Sequence, residues 1–284
     1  DHLKHKTPFQ QKTLAITFDD GYLSIYQNAF PELKKRHLPF TIFISPRDID
    51  QRFGNSLSWQ QLKEMQDNGA TISNHSYQHL HLLAKAPNEN PQQWQKRIQQ
   101  DIEQSNKRLQ DKLSINNKLF AYPYGEFNKP LKALLKNMGY TAFSQQSGPI
   151  STSSDMQALA RFPASGPYAN PKTLEIKLNS LAFDIVSASP ASQLLQYGQE
   201  APKLSLKVKA QDVNYRQSQC FYMGSPMNTQ VKKEGNNIII SAQLSTPLNP
   251  GRSRYNCTAP SLSKKCHYWY SMPFINAPKD GNWH

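Results

Sequence analysis

Over the first 185 or so residues, short apolar runs alternate with stretches of helical period. Residues 13–18 (TLAITF) are apolar and β-branched and stop at Asp19-Asp20-Gly21, which predicts a strand ending in a turn. Residues 24–37 predict a helix with Pro39 just beyond its end, and residues 40–45 (FTIFIS) a second strand. Residues 58–69 predict another helix, with Ser58 as N-cap and Gly69 as its stop, and ATIS (70–73) a third strand. Residues 91–113 open on Pro and repeat apolar side chains at Trp94, Ile98, Ile102 and Leu109, again a helix. A fourth strand with a rigid turn (KLFAYPYG, 118–125), a helix (129–139) and a strand (YTAFS, 140–144) complete the series. Such alternation predicts an α/β fold, with a parallel sheet or a β/α barrel. Past about residue 200 the pattern changes: 204–210, 236–244 and 267–275 alternate or run β-branched and aromatic, as in a small antiparallel sandwich. The expected division is therefore a domain over 1–190 and an accessory β domain over 200–284.

Composition narrows the class. With 284 residues, 37% hydrophobic and 11% aromatic, the chain has enough apolar material for a sizeable core. Its 33 Lys and Arg against 20 Asp and Glu favour anionic neighbours. The basic residues are scattered, however, and the densest cluster, KKRH at 34–37, ends a helix, where cations complement the dipole. Nucleic acid is not expected as a partner. No run reaches the roughly 18–20 apolar residues of a membrane span. The start DHLKHKTPF, without Met, reads as a mature or trimmed chain. Cys220, Cys257 and Cys266 all lie in the β-rich part, consistent with a disulfide and an oxidising, periplasmic or extracellular compartment. Cys220 with Cys257 is the expected pair, each in an aromatic-flanked strand, with Cys266 left over.

Candidate chemistry gathers at predicted strand ends, where reactive residues of α/β folds collect. The first strand ends in Asp19-Asp20-Gly21, the third in His75 and His79, the fourth in Tyr122-Pro123-Tyr124-Gly125. His75 and His79 are four apart, so a helical turn would project both rings from one face. Two imidazoles and the Asp20 carboxylate make a facial set for a divalent metal with open positions. Asp19, pointing the other way, would be the general base. His81 falls off the shared face and is expected to be local structure.

TFDDG (17–21), HSYQH (75–79) and YPYG (122–125), in that order, resemble the first three motifs of the NodB-homology polysaccharide deacetylases, a carbohydrate esterase family. The resemblance spans about residues 12–185 and implies an irregular β/α barrel that removes N-acetyl groups from an N-acetylglucosamine polymer. It implies Asp20, His75 and His79 as ligands of a divalent metal (zinc, with cobalt or nickel as alternatives), Asp19 as base and the Tyr124 N–H as oxyanion donor. Two departures stand out. The family often has an arginine where this chain has Ala121, and Arg161 in ARFPASG is the candidate to reach the same carboxylate instead. The family's late Leu-His motif is missing, since no histidine lies between His81 and His267. Return of the proton by Asp19, or by water, is the simpler source for the leaving amine. Tyr268, Trp269 and Tyr270 offer a sugar-stacking platform or alternate core residues. The competing functions are O-acetyl or other amide hydrolysis on the same scaffold, and a non-catalytic carbohydrate-binding envelope protein.

Overall fold

The structure, a computed structural model, describes residues 13–279 together with Leu3, His5 and Thr7. The chain forms two compact units, and the first comprises residues 13–126 and 130–143. Its strands are β1 (Ile16–Phe18), β2 (Phe40–Ile44), β3 (Ala70–Asn74), β4 (Leu119–Ala121) and β5 (Thr141–Phe143). They pair in parallel in sequential order. That order makes every crossover wind the same way, the rule of a β/α barrel. Among the described residues β1 and β5 do not pair with each other, so this is the expected barrel in open, irregular form.

Local chemistry explains the helices between the strands: α1 (Phe30–Lys35), α2 (Pro46–Asp50), α3 (Trp59–Asp67), α4 (Pro91–Leu113) and α5 (Lys129–Asn137). Ser58 caps α3 as expected, in a reciprocal box with Gln61, and Asn90 does the same for α4 with Gln93. The helix expected over 24–37 is split into a π turn, Ile25–Ala29, and α1. Pro31 explains the break, because it has no N–H for the i−4 bond. The short α2 has no counterpart in the sequence reading. The core joins Ile42 and Ile44 of β2 to Leu62 and Met65 of α3, Ile72 of β3, and Leu109 and Leu113 of α4. A buried aliphatic side chain of this size contributes about 1.5–3 kcal/mol.

The second unit contains residues 127–129 and the chain from residue 144 onward. After helix α6 (Pro171–Leu178) come β6 (Leu181–Ala182), β7 (Ile185–Ser189), β8 (Leu194–Leu195), β9 (Leu204–Lys209) and β10 (Gln219–Tyr222). Then follow β11 (Ser225–Pro226), β12 (Thr229–Glu234), β13 (Asn237–Ala242), β14 (Gly251–Pro260) and β15 (His267–Asn276). One sheet runs β12-β13-β9-β7, the other β11-β10-β14-β15-β6 with β8 also on β15. Leu204, Leu206, Val208, Ile238 and Ile240 of the first face Cys220, Tyr255, Cys257, Met272 and Phe274 of the second in one core. The sheets are antiparallel, as expected of this region, except where β6 and β8 join β15 in parallel. The later unit begins earlier than the composition suggests. Residues 144–190 were expected with the first region, but β6 and β7 pair with β15 and β9, so this segment is tied to the sheets.

Cys220 and Cys257, opposite one another on β10 and β14, form a disulfide, and Cys266 is free. Strand alternation divides the aromatic run. Tyr268 and Tyr270 pack against the core, while Trp269 meets Phe162 edge-on at 5.5 Å. No helix among the described residues is long and apolar enough to cross a membrane.

Candidate metal centre

The carboxyl ends of β1, β3 and β4 supply the site. After β1 the chain reverses through two left-handed residues, Asp20 (φ 71°) and Gly21 (φ 73°). A Cβ at Gly21 would lie 3.0 Å from Ile44 Cγ2, a tight contact that adds to the preference its φ already sets for glycine. After β3, His75 continues the ladder by donating its N–H to the Ile44 carbonyl. Residues 75–79 are not the helical turn that the spacing of the histidines suggests. Ser76 and His79 are left-handed (φ 66° and 53°), and a side-chain oxygen accepts from each N–H of residues 76–79. Ser76 donates to Asn74 Oδ1 (2.8 Å), Tyr77 and Gln78 to the two Asp101 oxygens (2.8 and 3.2 Å), and His79 to Ser76 Oγ (3.0 Å).

This turn brings the rings together. His75 Nε2 lies 3.2 Å and His79 Nε2 3.1 Å from the same oxygen, Asp20 Oδ1. The three ligand atoms fall within 4.8 Å of one another. His75 is fully buried, and its Nδ1 lies 2.8 Å from the Ala121 carbonyl. A carbonyl can only accept, so Nδ1 carries the proton, and in the neutral ring Nε2 presents a lone pair. That buried Nε2 has no hydrogen-bond partner, although it faces a carboxylate oxygen. A lone pair facing an anion is what a cation between them would relieve, so the donor set fits a divalent metal. Burial alone would push the Asp20 carboxyl up, but the His75 and His79 rings, when protonated, outweigh it and hold the group well below the usual carboxylate range, and a cation held by neutral rings would act in the same direction.

Of the other expected residues, Asp19 is half-buried directly after β1. Tyr124 holds a left-handed conformation (φ 58°, ψ 3°) in the turn after β4. Its ring lies 4.7 Å from that of His79 and 3.9 Å from that of His81. His81 is outside the group formed by Asp20, His75 and His79. Arg161 belongs to the second unit, where its Nε donates to the Ser144 carbonyl and its N–H to that of Gln146. His267, in β15, is exposed.

Two supporting residues escape the sequence reading. Asp101 is 6% exposed and anchors the histidine turn from α4. Its signal is a carboxylate on the apolar stripe of Trp94, Ile98, Ile102 and Leu109. Tyr22, two residues after Asp20, has its phenol pushed up mainly by the Asp20 charge and then by burial.

A parallel sheet of this winding with an Asp-His-His cluster at its strand ends offers a ligand set suited to a divalent metal. Residues 6–143 match the polysaccharide deacetylase family. The poly-β-1,6-N-acetyl-D-glucosamine N-deacetylase of Staphylococcus epidermidis is 34% identical over 167 residues, covering 56% of this chain and 56% of that protein. That of Escherichia coli K12 is 25% identical over 187 residues, covering 54% of this chain and 28% of that protein. The chain thus spans little more than half, or less, of these relatives. A Streptococcus pyogenes deacetylase, PplD, solved with acetate, shares the fold (TM-score 0.55, 22% identity, 63% of this chain and 75% of that one).

Proposed function

We propose that the protein is a metal-dependent N-deacetylase that releases acetate from an N-acetylglucosamine polymer. The observation that carries this reading is the buried, unpartnered His75 Nε2 set with His79 around one Asp20 oxygen. The names of the relatives favour a β-1,6-linked polymer.

Asp20, His75 and His79 would hold the metal, with Ala121 fixing the His75 tautomer. A divalent ion there, zinc being the first choice, supplies Lewis-acid polarisation of the acetamide carbonyl and a water of lowered pKa. Asp19 would act as general base, taking a proton from the attacking water. The Tyr124 N–H would donate to the oxyanion that develops at the acetyl carbonyl oxygen, a contact of about 3 kcal/mol in comparable sites. Asp19 then returns its proton to the departing amine. Arg161, in the second unit, is kept as a candidate for the reaction because Ala121 stands where an arginine was expected. The second unit is assigned an accessory role, and the Cys220–Cys257 disulfide supports a periplasmic or extracellular location.

The test is acetate release by chelator-stripped protein, before and after adding zinc, cobalt or nickel. N-acetylglucosamine oligomers and O-acetylated glycans are offered in parallel. Metal-restored release from the N-acetyl substrates is expected. Release only from O-acetyl substrates would make the protein an esterase, and a protein that binds no metal and releases nothing would overturn the reading. His75→Ala should lose metal and activity together, beyond the 10–100-fold that loss of a supporting partner typically costs. Asp19→Asn should keep the metal and slow release by about 10²–10⁴-fold. Arg161→Ala with undiminished activity would remove that residue from the scheme.

A further inference from the structure

His81 is a ring without an assigned task, and its surroundings are specific. It lies face to face with Tyr124, centroids 3.9 Å apart and planes within 8°. Its Nδ1 is 2.8 Å from Glu126 Oε2, and Glu126 is only 2% exposed. Glu126 sits two residues beyond Tyr124, at the end of the same turn, where its N–H donates to Pro123. The four side chains therefore form a chain of contacts from Glu126 through His81 and Tyr124 to His79, a member of the metal cluster. Tyr124 needs such support: φ of 58° is an unusual conformation for a bulky residue and persists only where its surroundings impose it.

We propose that His81 and Glu126 are a positioning pair: the carboxylate fixes the plane of the imidazole, and the imidazole holds Tyr124 in its left-handed conformation beside the metal-binding turn. This rests on the deacetylase reading for its effect on rate, since there the Tyr124 N–H is the oxyanion donor. The structural effect does not depend on that reading.

Two variants separate ring from hydrogen bond. His81→Asn keeps a donor for Glu126 but removes the flat ring. The double variant H81F/E126L keeps a flat ring and replaces both polar partners by apolar groups, which leaves no buried carboxylate unpaired. In the asparagine variant kcat for acetate release should fall by about ten- to a hundredfold, as expected for a misplaced donor, with KM and bound zinc unchanged. The double variant should recover most of kcat. Crystal structures of both variants without metal give a readout independent of turnover. Tyr124 should leave the left-handed region when residue 81 is Asn and keep it in the double variant. Unchanged Tyr124 geometry in the asparagine variant, loss of zinc from it, or a double variant no better than it would each overturn the pairing. If the wild-type protein releases no acetate, the deacetylase reading fails while the Tyr124 conformations still decide this one.

Discussion

Asp101 shows how much one side chain can decide. It accepts two consecutive backbone N–H groups from Tyr77 and Gln78, between the two histidines of the candidate metal site. Burial pushes its carboxyl up from the ordinary value, and the two N–H bonds offset this only in part. Asp101→Ala should leave both donors unsatisfied, costing about 1–3 kcal/mol for each that water does not reach. Zinc affinity should fall by about 10–100-fold, because the turn holding His75 and His79 loses its anchor. Urea unfolding and zinc titration of the variant measure the two effects, and unchanged zinc affinity would mean that the turn holds itself. Asp20, His75 and His79 could be picked out along the chain because each stands at the end of an apolar strand in a short polar motif. Asp101 could not be placed in the same way, since its partners are 23 and 24 residues away and nothing local marks the pairing.

At the level of elements, sequence and structure part where a segment lacks a strong period. The expected bounds of the 23-residue α4 match the structure, because an opening proline and an apolar stripe agree, and the structure adds a capping box at Asn90. The histidine turn was not, because a four-residue spacing is shared by a helix and by a turn tied with side-chain oxygens. A comparable tie holds the connection between β14 and β15. Asp212 accepts from Ser261 Oγ (2.7 Å), Ser263 N–H (2.8 Å) and Tyr268 OH (3.0 Å). Ser261 is the largest cause holding its carboxyl down, and the pKa falls to about 2 from an ordinary 3.8. A depressed folded-state pKa contributes stability above the unfolded value and loses it as pH falls through the folded one. The contribution should therefore be complete above about pH 4 and disappear between there and about pH 2. Asp212→Asn should remove that part of the acid sensitivity. Thermal melts from pH 5 to 2 check this, and parallel pH curves for variant and wild type would contradict it.

Over the whole molecule, the later unit depends on a covalent link between strands of one sheet. Cys220 and Cys257 are 37 residues apart, and closing a loop of that size constrains the unfolded chain by about 3–4 kcal/mol. Both are fully buried, so replacing them with alanine adds a small packing loss. The Cys220→Ala/Cys257→Ala protein should unfold at lower urea by about that free energy, read from the β signal in circular dichroism. An unchanged midpoint would show that the sandwich core suffices without the bond.

Strand and helix periods, caps, breakers and polar motifs act over a few residues, and so the chain declares them locally. They were enough for the barrel class, the β-rich later part and the metal-binding candidates. Contacts between distant segments carry no such mark. Only the folded chain pairs Ala121 with His75, sets His81 between Tyr124 and Glu126, and draws residues 181–189 into the later sheets. Those pairings follow from which strand ends meet when the sheets close and bury their apolar faces, a condition satisfied by the whole fold and not by any one segment.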